Sequence, residues 1–192
     1  MKKTIRLIGF LGIALLTLCA AGGCSIMREA LEAGESSDNP NDESYRPRFA
    51  VGIFSIVHYP RATELEREIS TPDGRTISIN TNQSFSSKNL KRVRVVARPG
   101  NPDVCDLQFQ LDRSGLLKWE MLAGRNREEP MAFVVDGRCE ALFYPELPPD
   151  DGSEWVTLRV GVNPHTAKGI AKYAEKNYAH YNPDTASWFN YL

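Results

Sequence analysis

Histidines, cysteines and paired carboxylates are the side chains of this sequence that could make or break bonds, and their spacing decides which chemistry is open to it. The three histidines, His58, His165 and His180, stand far apart. None falls in an HExxH or comparable spacing, the pattern that sets two imidazoles on one helix face to hold zinc. No metal site is expected. There is no G-x-S-x-G turn and no glycine-rich phosphate loop, so neither an activated serine nor a nucleotide cradle is offered. Cys139 could act as a nucleophile only beside a base, and no histidine stands where it would meet one. Asp150 and Asp151 lie in a loop with Pro and Gly, where solvated turn residues are the ordinary outcome. The expectation is a chain that is not an enzyme, uses no cofactor and acts by contact.

Those residues are carried by an alternation of strands and helices. Residues 49–59, FAVGIFSIVHY, are rich in β-branched and aromatic side chains and stop at Pro60, which reads as a buried strand. ELEREIS and RTISINTN flank a Pro-Asp-Gly turn and predict a hairpin. Ser86 or Ser87 caps a short helix at Asn89 and Leu90 before RVRVVA extends. In VCDLQFQLD, Leu107, Phe109 and Leu111 alternate with Asp106, Gln108 and Gln110, the mark of a half-buried strand. Asp112 or Ser114 then caps a helix whose Leu116, Trp119 and Leu122 or Ala123 form one stripe, ending at Gly124. MAFVV, the pair Asp136-Gly137 and RCEALFY predict a hairpin on a type I′ turn, with a scaffolding role. WVTLRVGV is a further strand, and Asn163-Pro164 opens a second helix whose Ala167, Ile170, Ala171 and Ala174 share a narrow face. The fold class is α+β: a mostly antiparallel sheet with two main helices packed on one face.

At the N-terminus, Lys2, Lys3 and Arg6 precede the apolar run LIGFLGIALLTL, the order of a secretory signal peptide. At the helical rise this run reaches roughly 18 Å, short of the ~30 Å hydrocarbon core, so cleavage is expected. The run closes in CAAGGCS, which resembles the lipobox of bacterial lipoproteins with Cys24 as the acylated residue, although Ala21 stands where that motif prefers Leu. Residues 1–24 are thus read as a lipoprotein signal peptide, and the lipid bilayer as a partner through acylated Cys24. Ser25 lacks the Asp commonly used for inner-membrane retention, which favours the outer membrane on the periplasmic side of the envelope. Residues 25–47 are mostly Gly, Ser, Asp, Asn and Glu after a short apolar start; they cannot bury enough surface to offset their ordering entropy and read as a disordered tether. Residues 48–192 suffice for one core. Their tail, 180–192, carries Tyr181, Trp188, Phe189 and Tyr191 and is expected to fold back on the domain.

The 48–192 segment carries equal numbers of acidic and basic side chains and no Lys/Arg run, which leaves no electrostatic footprint for nucleic acid. Arg92 and Arg94 share one strand face opposite Val93 and Val95, as on a solvated surface. Cys105 and Cys139 remain once Cys19 is removed and Cys24 acylated, and an oxidising compartment favours pairing them. If their strands are parallel neighbours joined by a helix, the two lie roughly 20 Å apart and cannot bond. Another strand order brings them together, and the sequence leaves that choice open.

The stretch from DLQFQLDRSGLLKWEMLAGRN through MAFVVDGRCEALFYPEL to HTAKGIAKYAEK resembles the head subdomain of the first periplasmic domain of SecD/SecDF protein-export subunits. The resemblance rests on Asp112, Gly115, Trp119, Asn126, the strand ending at Asp136-Gly137 and the helix around Ala167 to Ala174, and it spans roughly residues 49–176. Trp155 and the aromatic tail depart from the family pattern. The resemblance implies a module that contacts polypeptide or docks on a partner such as the Sec translocon, with no reaction attached, and without the membrane-spanning helices that couple SecD to proton flow. The first reading is therefore a lipid-anchored envelope protein that binds a polypeptide or partner protein in export or envelope assembly, with Trp155 and Trp188 as candidate contacts. A structural or scaffold lipoprotein is the second reading. An envelope hydrolase is the third.

Overall fold

The computed structural model describes residues 37–149 and 152–183. The chain divides into two units, Met1–Arg46 and Pro47–Leu192. Within the first, residues 37–46 form linked turns, in which Asn41 N–H donates to Asn39 Oδ1 at 3.1 Å and Ser44 N–H to Asp42 Oδ1 at 2.8 Å. The signal segment, Cys24, Asp150, Asp151 and Trp188 lie outside the described residues.

In the second unit the order of elements is β1 (Val51–Ser55), β2 (Glu66–Ser70), β3 (Thr76–Asn80), β4 (Phe85–Ser86), a 3-10 turn (Ser87–Asn89), β5 (Leu90–Arg98) and β6 (Asn101–Leu111). Then follow α1 (Arg113–Arg125), β7 (Met131–Val135), β8 (Arg138–Phe143), β9 (Trp155–Val162) and α2 (Pro164–Tyr181). Every strand pairing is antiparallel, in sheets ordered β4-β1-β7-β8, β2-β3 and β5-β6-β9. The expected α+β layout is present, divided among three sheets. The parallel pairing of β6 with β7 does not occur; β6 lies between β5 and β9. Its strict alternation suits a strand with one wet face, whereas MAFVV in β7 is buried throughout.

Burial on both sides of β7 follows from two clusters. Met131, Phe133 and Val135 point into the main core with Val51, Ile53, Leu107, Phe109 and the helix residues Trp119 and Ile170. Ala132 and Val134 point the other way, against Ile69 and Ile79 of the β2–β3 hairpin. Both helices contribute to the first cluster and neither to the second, so they lie on one face of the four-stranded sheet and the hairpin covers the other. The hairpin is tied at its turn by Asp73, which accepts from the Thr71 hydroxyl and from Arg75 Nε.

Helix α1 starts where Asp112 accepts from Gly115 N–H at 2.6 Å, the side-chain cap that satisfies a first-turn donor. Its Trp119 is 0% exposed, stacks near Phe143 and donates its indole N–H to Glu146 O at 2.9 Å. The helix runs past Gly124, because Asn126 closes it by donating Nδ2–H to Leu122 O. Helix α2 begins at an Asn163 cap and Pro164 as expected, but continues to Tyr181, so His180 and Tyr181 belong to the helix and not to a tail. Its buried stripe is Ala167, Ile170, Ala174 and Asn177. Asn177 is tolerated there because its Nδ2–H donates to Arg48 O at 2.8 Å. Around residue 89 the chain makes only a 3-10 turn; Ser86 makes no cap bond, and Ser87 Oγ instead accepts from Val51 N–H at 2.7 Å.

Candidate functional site

Where the β2–β3 hairpin leans over the outer face of the four-stranded sheet, it leaves a cleft of about 450 Å³. Its floor is apolar: Phe54 from β1, Val134 from β7, Ile69 and Ile79 from the hairpin. Phe54 reaches that position by folding across its own strand, which Gly52 permits, since a Cβ there would stand 2.6 Å from the Phe54 ring. Arg67 and Lys88 line the rim, both exposed, and among the described residues neither makes an ion pair. Thr81, Gln83, Ser86, Ser87 and Tyr181 add polar lining. Burial, and then the nearby Asp136 carboxylate, push the Tyr181 phenol up from its ordinary range, so it stands as a neutral donor. The volume falls within the span usual for ligand-binding clefts.

One wall of the cleft is the Asp136-Gly137 turn. Both residues have positive φ, 47° and 80°, as a type I′ turn requires. The turn does more than reverse the chain. Asp136 Oδ2 accepts from Phe49 N–H and Oδ1 from Ala50 N–H, each at 2.8 Å, while Asp136 N–H donates to Ala50 O at 3.0 Å. One carboxylate thereby fixes the entry to β1, and Phe49 is held at φ 51°. Sequence reasoning gave Asp136 only its place in the turn; its tolerance of positive φ is a local signal, whereas a partner 87 residues away leaves none.

A second groove, lined by Thr71, Arg138, Cys139 and Glu140 among others, shares Arg67, Ile69 and Gly137 with the first cleft. The two adjoin along the flank of β2. Cys139 lies at their junction with the core, buried, its thiol donating to Ala141 O at 3.7 Å. Burial pushes this thiol up, which makes it a poor nucleophile at neutral pH. Cys105 is buried in the main cluster on β6. Both cysteines are free: they belong to different sheets and different clusters, and the disulfide between them is not formed.

The remaining sequence candidates are scattered. His58 is exposed in the β1–β2 connection, His165 lies in the first turn of α2 beside Phe49 at 5.9 Å, and His180 is in its last turn beside Tyr181. Among the described residues no three His, Cys, Asp or Glu side chains gather closely enough to hold a metal ion. Trp155 is half-buried on the wet face of the β5-β6-β9 sheet, with the Arg94 guanidinium 4.0 Å above its ring. On that same face Arg92 pairs with Glu175 at 2.7 Å and Arg159 with Glu146 at 3.4 Å, so these two cations are locally balanced.

What the fold and site define is an α+β domain of antiparallel sheets and two helices with an amphipathic surface cleft. No family model matches the chain, and no curated protein does. Among solved structures it is similar to a membrane component SecDF that enhances protein export, at 16% identity and a TM-score of 0.46, over 68% of this chain and 63% of that one. It is similar to SecDF in the super-membrane-facing form at 15% and 0.46, over 68% and 19%. A third likeness is to SecDF, a translocon-associated membrane protein from Thermus thermophilus, at 8% and 0.32, over 69% and 29%. The chain thus spans less than two thirds of the first of these and a smaller share of the others. No helix among the described residues is long and apolar enough to cross a membrane.

Proposed function

We propose that this chain is a lipid-anchored envelope protein, on the periplasmic side and by preference at the outer membrane, whose α+β domain catalyses nothing and works by binding another polypeptide. The observation that carries this reading is the cleft beside the hairpin. Above a floor of buried apolar side chains its rim presents Arg67 and Lys88, exposed cations that no described carboxylate neutralises, which suits contact with an acidic partner surface. The motif positions that resemble the SecD head subdomain fit this reading as supports of the domain: Asp112 caps Gly115 N–H, Trp119 donates to Glu146 O, and Asp136 accepts from Phe49 N–H. The anchor is the acyl group on Cys24, and the partner is a polypeptide, by resemblance one met in export through the Sec translocon or in envelope assembly.

The test is photocrosslinking in cells from Gln83 in the cleft wall and, as a control, from Leu117 on the exposed side of α1. Capture of many polypeptides from Gln83 and few from Leu117 is the expected result. A single partner at fixed stoichiometry, captured from either position, would establish the scaffold reading instead. For the anchor, Cys24→Ser is expected to abolish labelling by radioactive palmitate and release the protein from membranes.

A further inference from the structure

Two cations reach one void from separate elements: Arg67 of β2 and Lys88 of the 3-10 turn both line the cleft of about 450 Å³. Among the described residues neither side chain makes an ion pair, and Glu68 and Glu140 of the adjoining groove, which Arg67 also borders, are no exception. Their main chains are held in place. Arg67 pairs with Ile79 across the hairpin, and Asn182 Nδ2–H donates to Lys88 O at 2.9 Å. Asn182 also donates to Ala179 O and Tyr178 O, so carbonyls at the end of α2 that would repel an anion are partly satisfied. The acid in the lining, Asp136, has both oxygens engaged by Phe49 N–H and Ala50 N–H. Neutral donors line the same cleft: the Gln83 amide, the Tyr181 phenol and the hydroxyls of Thr81 and Ser86.

Two positive charges among neutral donors match a dianion with several oxygens; a single carboxylate would leave one cation without a counter-charge. A phosphate monoester carries about −1.5 to −2 charges at neutral pH and three acceptor oxygens. A guanidinium grips it as a fork and an ammonium as a point charge. The cleft is far larger than a phosphate group, which leaves room for the organic group that bears it. We propose that this cleft is a binding site for a phosphate monoester, held by Arg67 and Lys88 with Gln83 and Tyr181 as supporting donors. The site stands independently of the polypeptide-binding reading; where both hold, the ester and the partner's acidic surface compete for the same two cations.

The experiment titrates the purified full chain with glycerol phosphate and with glycerol, followed by calorimetry. Glycerol phosphate is expected to bind with a Kd on the order of 1 mM, weakening in high salt, and glycerol to give no binding. Arg67→Gln with Lys88→Gln is expected to weaken binding by about tenfold or more; both side chains are exposed, and circular dichroism checks that the fold is intact. Should that pair impair folding, Lys88→Gln alone must still weaken it by about threefold. Vesicles of phosphatidylcholine with and without phosphatidic acid distinguish the two sources of a phosphate monoester. Greater retention on phosphatidic acid, lost with Lys88→Gln, makes a lipid headgroup the ligand; equal retention with glycerol phosphate bound makes it a free ester. Equal affinity for glycerol and glycerol phosphate, affinity untouched by the substitutions, or neither binding nor added retention overturns the proposal. Such a failure with successful crosslinking at Gln83 leaves the polypeptide-binding reading standing, and phosphate binding with failed crosslinking removes that reading alone.

Discussion

The Phe49 ring lies so close to Gly169 that a Cβ on that helix position would stand 2.3 Å from it. The same ring stacks on Tyr173 with centroids 5.8 Å apart. Because Asp136 holds the Phe49 backbone, the ring has little room to withdraw. Gly169, which in an isolated helix would be a liability of about 1 kcal/mol against Ala, is here the place where α2 meets the lead-in to β1.

The sign of Gly169→Ala therefore depends on Phe49. In the native background the substitution is expected to destabilise by about 1–3 kcal/mol through overpacking. In a Phe49→Ala background it is expected to stabilise by about 1 kcal/mol through helix propensity. Urea unfolding of the four proteins of this cycle measures both; the same sign in both backgrounds would show that the contact is dispensable.

Asp136→Ala is expected to cost about 2 kcal/mol or more, having lost two charge-assisted bonds to backbone donors and placed Ala at positive φ. Asp136→Asn keeps one acceptor and tolerates the backbone, and should cost about half as much. Thermal and urea denaturation at neutral pH distinguish this from an ordinary surface substitution, whose cost stays within about 0.5 kcal/mol.

Gly115→Ala is expected to destabilise although helix propensity favours it, because the new Cβ would meet Asn89 Cβ at 2.9 Å and Asn89 O at 3.0 Å. Asp112→Ala is expected to cost at least about 1 kcal/mol as a lost cap, and more because Asn89 Nδ2–H and Tyr178 O–H also donate to it. Stability measured by chemical denaturation should fall for both, and a stabilised Gly115→Ala variant would show that the helix start can move aside.

Cys139 should resist alkylation at pH 8 in the folded protein and react at a rate set by global opening. Its thiol is pushed above the ordinary value of 9.0 by burial. The sign follows: the neutral thiol is matched to the fold below that value, and as pH rises past it the unfolded chain ionises first, so stability falls toward alkaline pH. A Cys139→Ala variant should lose that alkaline component. Mass spectrometry of iodoacetamide adducts, with and without urea, provides the measurement, and fast labelling of native protein would place the thiol in solvent.

Local pattern was legible and distant pairing was not. The alternation of Leu107, Phe109 and Leu111 in β6, the Trp119 stripe and the Asp136-Gly137 turn are set by contacts within a few residues, and each appears where the spacing predicts it. Strand order is decided by which apolar faces meet after collapse, so nothing near residue 51 announces that β1 sits between β4 and β7. The cleft suffers from the same limit. Arg67 and Lys88 look like two ordinary surface cations until β2 is folded over Phe54 and Val134. Asn177, a polar residue on a buried stripe, left no sign in the sequence because its partner is the main-chain oxygen of Arg48, 129 residues away.

The first strand in the chain depends on one of the last. Val51 pairs with Val135, and the clamp on Phe49 and Ala50 arrives only with Asp136. A growing chain therefore holds VGIF against only the two-residue β4 until β7 emerges, and such non-local closure is slow, on the order of milliseconds to seconds. Chains ending before residue 131 would leave the β7 edge of that apolar strand unpaired, the kind of exposed edge through which incomplete domains aggregate.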